Sequence, residues 1–131
     1  MLLDTSGLLC HFDAADARHH EASTLFRSAR ERPTHSYVLD EFVPLCQTRG
    51  HNRVGALMFA AKLLDNPLIK IVWVDERLHR TALSLLQARL DKTYSLCDAV
   101  SFLLMRQYGI SDALTTDRHF EQEGSNRLLR P

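Results

Sequence analysis

Four acidic residues stand where the surrounding sequence gives an acid no obvious place. Asp4 ends the apolar run Met1 to Leu3, and Asp117 follows Leu114-Thr115-Thr116. Asp98 interrupts Leu96-Cys97-Asp98-Ala99-Val100, and Glu41 closes Tyr37-Val38-Leu39-Asp40-Glu41. A carboxylate in apolar surroundings must find hydrogen bonds or a counter-charge. Four that meet also repel one another: two unit charges at ~4 Å and an effective dielectric near 20 cost about 4 kcal/mol. A hard divalent cation such as magnesium compensates such a group, taking one or two carboxylates directly and filling its shell with water and substrate phosphate. The chemistry this suggests is metal-assisted attack on a phosphate. Each acid also has a plain alternative. Asp98 and Asp117 can serve as helix N-caps, Asp4 can receive backbone N–H groups in a turn, and Glu41 can be a solvated helix residue. A side-chain nucleophile is not indicated. Cys10 and Cys97 lack a His and Asn in a matching order, and Ser6 lacks the G-x-S-x-G elbow.

The elements that would carry these acids can be read from periodicity. Met1 to Leu3 reads as a buried strand, followed by a Thr5-Ser6-Gly7 turn into a helix with Leu8, Leu9 and Phe12. Asp16 to Arg32 reads as a helix stopped by Pro33. His35 to Val38 reads as a second strand, and Leu39 to Arg49 as a helix ended by Gly50, with Pro44 expected to bend it or delay its first turn. Asn52 caps a helix that runs to Leu64. Leu68 to Val74 is the clearest strand, and Trp73 within it is expected to pack in a core or a dimer seam. Asp75 starts a helix through Leu90, and Ser95 to Tyr108 forms another, closed by Gly109. Asp112 to Thr115 is a strand end, Asp117 opens a turn or short helix, and Arg127 to Leu129 is an edge strand. Short apolar strands alternating with helices imply a parallel sheet covered on both faces, joined by right-handed crossovers. In such a sheet the functional crevice lies beyond the carboxyl ends of the strands. All four acids fall at that edge.

The bulk properties narrow the class without deciding it. The chain has 131 residues, which fits a single domain spanning 1–131 with a core of its own. Lys plus Arg and Asp plus Glu both number 16, so net charge neither favours nor opposes a nucleic-acid partner. The three cysteines Cys10, Cys46 and Cys97 are widely spaced and suit buried apolar positions better than a disulfide framework or a zinc knuckle. No basic leader precedes an apolar run, and no stretch approaches the ~18 apolar residues of a membrane span. A reducing, cytoplasmic setting without a membrane partner is the expectation.

The segments LLDTSGLL around Asp4, YVLDEF around Glu41, SLCDAVSFLLM around Asp98 and ALTTDRHF around Asp117 resemble the four acidic blocks of PIN domains. More narrowly, they resemble the VapC-type toxins of prokaryotic toxin–antitoxin pairs. The resemblance spans nearly the whole chain, and DTSGLL and TTDRHF are its most specific parts. It implies a three-layer α/β/α domain with a five-stranded parallel sheet. It implies an endoribonuclease dependent on magnesium or manganese, with Asp4, Glu41, Asp98 and Asp117 as the acidic tetrad. Thr5 or Ser6, and Thr116, match the small hydroxyl positions that support the metal or its waters. Asp4 and Asp98 would hold the cation directly, and Glu41 and Asp117 would act through water. Arg118 and His119 are within reach of an RNA phosphate, or serve the surface and packing. Phe120 reads as an apolar anchor. The partners implied are RNA, a small antitoxin that places an arginine near the acids, and a second copy of the chain.

Two other readings compete. One is a PIN-like interaction module whose acids survive only as caps. The other is a metal-dependent phosphatase or phospho-receiver, which needs a DxD-type pair or a lysine near the site. Asp4 is instead followed by Thr5-Ser6, and no lysine follows Asp112 to Thr115.

Overall fold

Strands of two or three residues alternate with helices along the chain, and every strand pair is parallel. The computed structural model describes residues 1–130. The order is β1 (Leu2–Leu3), α1 (Thr5–Phe12), α2 (His19–Ser28), β2 (Pro33–His35), α3 (Ser36–Thr48), α4 (Arg53–Asp65), β3 (Lys70–Val72), α5 (Glu76–Gln87), α6 (Leu96–Tyr108), β4 (Asp112–Leu114), α7 (His119–Gln122) and β5 (Asn126–Arg127).

Successive strand residues point to opposite faces. Leu3 and Leu114 join a core with Leu8, Phe42 and Cys46, whereas their neighbours Leu2 and Ala113 join a second core with Ala82, Phe102 and Phe120. Helices therefore cover both faces of the strands. The expected five-stranded sheet is not formed. The strands divide into a three-stranded sheet, β1-β4-β5, and a two-stranded one, β2-β3. At the break the Thr34 hydroxyl donates to the Leu3 carbonyl at 2.9 Å, so a side chain rather than a backbone ladder bridges β1 and β2.

Other boundaries move for local reasons. The second strand is Pro33–His35 rather than His35 to Val38, because Ser36 already begins α3 and its hydroxyl accepts the Val74 N–H at 2.9 Å. The helix expected from Asp16 starts only at His19, since the Asp16 carboxylate accepts the backbone N–H of Arg18 at 2.7 Å and folds a turn. It ends at Ser28, where the buried Arg32 guanidinium takes the Phe26 and Arg27 carbonyls. Pro44 lies inside α3 without delaying it. Proline removes only the bond to the Asp40 carbonyl, and Asp40 is exposed to water. Only Lys70–Val72 of the Leu68 to Val74 run is paired, and Trp73 is 65% exposed, not packed in the core. Asn52, Asp75 and Ser95 cap their helices through their side chains, and Gly109 ends α6 at φ 64°. All three cysteines are buried, as is Phe120. No helix among the described residues is long and apolar enough to cross a membrane.

One glycine fixes how α1 meets β4. A Cβ on Gly7 would fall 1.9 Å from the Leu114 carbonyl oxygen. The backbone cannot yield there without displacing the β4 strand end. Gly7→Ala should therefore lose at least ~1–3 kcal/mol, the range for overpacking a dense interior. Urea unfolding checks this, and an unchanged midpoint would refute so close a contact between α1 and β4.

Candidate active site

Asp4 sits at the N-cap position of α1, yet its side chain makes no capping hydrogen bond. The carboxylate turns towards β4 instead. Its Oδ2 accepts from Thr115 Oγ1 at 2.7 Å and from Ser6 Oγ at 3.0 Å. Each hydroxyl is held from its other side: Thr115 Oγ1 accepts the Asp117 N–H and Ser6 Oγ accepts the Thr116 N–H, both at 3.0 Å. A hydroxyl has one proton to give, and both are aimed at Asp4. Asp4 and the loop after β4 thus form one hydrogen-bonded unit. Burial raises the Asp4 carboxyl to about 6; the Thr115 hydroxyl opposes this and the nearby Asp98 charge adds to it.

Ser95, not Asp98, is the N-cap of α6, and Asp98 in the first turn completes a reciprocal cap with it. Ser95 Oγ accepts the Asp98 N–H at 3.0 Å, and Asp98 Oδ2 accepts the Ser95 N–H at 3.1 Å. The same Oδ2 lies 2.9 Å from His119 Nδ1, whose ring leans edge-on against Tyr94. Asp117 Oδ1 accepts the His119 N–H at 2.9 Å, and its Oδ2 is 3.4 Å from His119 Nδ1. Asp98, Asp117 and His119 each offer a donor atom within 4.8 Å of the other two. Glu41 approaches from α3, where Thr5 Oγ1 donates to its Oε2 at 3.3 Å. Crowding by protein raises its carboxyl above the ordinary range, against hydrogen bonds from Cys97 and Thr5, and the Asp98 and Asp40 charges raise it further.

Asp98 is accordingly the hub: its charge is felt at Asp4 and Glu41, and it shares the His119 ring with Asp117. Among the described residues, no lysine or arginine pairs with any of the four acids. Carboxylate oxygens with no cationic side chain to neutralise them fit a hard divalent cation. Thr5 and Ser6 both bond to acids. Thr116 contributes its backbone N–H, whereas the hydroxyl that reaches Asp4 belongs to Thr115, which sequence reasoning passed over. Sequence reasoning also treated His119 as a phosphate contact or packing residue and missed its contact with Asp98. Arg118 beside it is exposed.

The family model of the PIN domain matches residues 1–124. The chain belongs to the PIN-domain family. Among its relatives is the protein named 23S rRNA-specific endonuclease VapC20 of Mycobacterium tuberculosis, in strains CDC 1551 / Oshkosh and ATCC 25618 / H37Rv. It is 30% identical over 128 residues, covering 95% of this chain and 94% of that protein. The crystal structure of Mycobacterium tuberculosis VapC20, described as a sarcin-ricin loop cleaving toxin, superposes with a TM-score of 0.86 at 32% identity. The match covers 99% of this chain and 98% of that one.

The buried carboxyl of this PIN domain has an opposite in the buried His35. His35 Nε2 meets Ser101 Oγ at 2.8 Å, Nδ1 has no partner among the described residues, and burial lowers the ring to about 4 from 6.5. Asp4 holds its proton more tightly folded than unfolded, so its contribution falls by about 3 kcal/mol as pH rises from about 4 to 6. His35 holds its proton less tightly folded, so its contribution rises by about 3 kcal/mol between about 4 and 6.5. The two largely cancel in wild type. In chelator, Asp4→Asn should melt higher than wild type at pH 7 and lose stability more steeply below pH 6.5. Melts across pH 4 to 7 test this. A variant that melts lower at pH 7, with an unchanged pH slope, would show that Asp4 is not the strained charge.

Proposed function

We propose that this PIN domain, as a single domain spanning 1–131, is a metal-dependent endoribonuclease and the toxin of a toxin–antitoxin pair, acting in the cytoplasm. The observation that carries the reading is the gathering of Asp4, Glu41, Asp98 and Asp117 around one hub with no lysine or arginine to balance them. Asp4 and Asp98, the two buried acids, would hold magnesium or manganese. When bound, such a cation polarises a phosphate and makes water a better nucleophile.

The chain's own groups do the rest. Ser6 and Thr115 lock the Asp4 carboxylate so that it does not turn away when its charge is needed. Glu41, at the exposed rim, orients the attacking water, and its raised proton affinity suits it to accept a proton from that water. Asp117, tied to the same loop, helps to position water. Thr5 steadies Glu41, Thr116 fixes the loop through its backbone, and Arg118 is placed to meet RNA phosphate. The relative's stated specificity suggests a folded loop of large-subunit ribosomal RNA as the first substrate to try, in keeping with recognition of RNA through single-stranded and looped elements.

The partners proposed are a small antitoxin that brings an arginine to the uncompensated acids, and a second copy of the chain. Exposed apolar side chains at Val54, Met58, Leu68 and Trp73 are available for such contacts.

Purified protein with manganese should cut ribosomal RNA, and excess chelator should stop it. Asp98→Asn keeps the size and can still cap α6. It should lower cleavage by at least roughly 100-fold, beyond what losing a mere orienting partner costs. Metal at a hundredfold excess over its dissociation constant stabilises the folded state by about 2.7 kcal/mol. The variant should lose most of that stabilisation without melting lower in chelator. Cutting that persists in chelator, or an active Asp98→Asn with an unchanged metal response, would overturn the assignment.

A further inference from the structure

His119 is built into the acidic cluster more firmly than a phosphate-contacting residue needs to be. Its backbone N–H is tied to Asp117 Oδ1 at 2.9 Å. Its ring packs against Tyr94 with centroids 5.2 Å apart. Its Nε2 meets Thr93 Oγ1 at 3.1 Å, which leaves Nδ1 as the nitrogen facing the carboxylates. From Nδ1 the distances are 2.9 Å to Asp98 Oδ2 and 3.4 Å to Asp117 Oδ2. Adjacent ligands at ~2.1 Å from an octahedral cation lie about 3 Å apart. His119 Nδ1 and Asp98 Oδ2 therefore already have the spacing of two adjacent ligands, with Asp117 Oδ2 a little further from the ring at 3.4 Å.

Resting on the reading of this cluster as the nuclease's metal site, we propose that His119 Nδ1 is a direct ligand which biases the site towards transition-metal ions and away from magnesium. Imidazole is a borderline donor that suits the later first-row metals, whereas magnesium takes oxygen ligands and keeps its waters. Ligation requires a neutral ring with its proton on Nε2, and Thr93 Oγ1 is placed to accept that proton. An outer hydrogen bond of this kind is what fixes the tautomer of a metal-bound histidine. Ligation would take the place of the contact between Nδ1 and Asp98 in the metal-free protein, with Nε2 carrying the ring proton towards Thr93 Oγ1.

The test uses the intact protein, with cobalt, manganese and magnesium added separately. Calorimetry gives the affinities, and pulsed EPR of bound manganese reports any nitrogen in its shell. Wild type should show nitrogen coupling and prefer cobalt to magnesium. His119→Phe, which keeps an aromatic ring against Tyr94, should lose the coupling and bind cobalt tenfold or more weakly, with magnesium affinity changed less than threefold. Thr93→Val should weaken cobalt in the same direction. Manganese bound to wild type without nitrogen coupling overturns the proposal while leaving the metal-dependent nuclease standing, and this holds even if His119→Phe fails to fold. Equal losses for cobalt and magnesium do the same. Tighter binding by His119→Phe would mean that the histidine competes with metal for Asp98, which also overturns it. A wild type that binds none of the three ions removes the nuclease reading together with this one.

Discussion

Burial of carboxylates close to one another is the constraint around which this molecule is arranged. Asp4 and Asp98 are each 6% exposed; burial raises the Asp4 carboxyl and the Asp98 charge adds to it. Charges so placed are tolerated only where hydrogen bonds hold them and where their field has an outlet. The hydrogen bonds come from hydroxyls and backbone N–H groups, which fix geometry without cancelling charge. The chain thus keeps the field of the acids available, at a cost in folding stability. Sites that act on charged substrates commonly show this trade.

The rest of the fold serves that arrangement. Strands of two or three residues offer few ladder hydrogen bonds, and their stability comes from burial of both faces between helices. Leu2 and Ala113 anchor one core while Leu3 and Leu114 anchor the other, so β1 and β4 cannot slip without exposing both sets. Asp4 and Thr115 follow immediately after these locked pairs. Their 2.7 Å contact is set by the register of β1 on β4 and by the absence of a Cβ at Gly7, which lets α1 start flush against Leu114.

This explains what could be read from the sequence and what could not. Helices with local signals were legible, because capping and termination are decided within a few residues: Asn52, Asp75 and Ser95 at the starts, Gly109 at an end. The two-faced burial of the strands and the meeting of the acids at one edge were also legible, since both follow from apolar runs that end in Asp4 and shortly before Asp117. Strand extent was not. Leu68 to Val74 has strand propensity throughout, but only the three residues facing β2 find partners, and Trp73 beyond them is left in solvent. At the split of the sheet one hydroxyl, Thr34, reaches one carbonyl across 31 residues of sequence. Pairings of that kind leave no periodic trace. The omission of Thr115 has a similar origin, because neighbours in an extended segment differ by a full reversal of direction and one residue decides which hydroxyl meets Asp4.

Asp98 shows why weighing a structural role against a functional one can mislead at such a site. It completes the capping box at the third position of α6, with both halves of the reciprocal hydrogen bond to Ser95 present. Yet the cap uses only Oδ2, and that atom is shared with His119, while Oδ1 takes no hydrogen bond from the described residues. Capping fixes the rotamer, and a fixed rotamer is what a ligand to a cation requires. The cap therefore supplies the preorganisation of a binding role and does not compete with it. The same holds at Asp117, whose Oδ1 closes the turn into α7 while Oδ2 faces the His119 ring. In both residues the side chain accepts a backbone N–H and faces the His119 ring, one oxygen doing both at Asp98 and two dividing the work at Asp117, so a single side chain couples the folding of a loop to the charge that the loop presents.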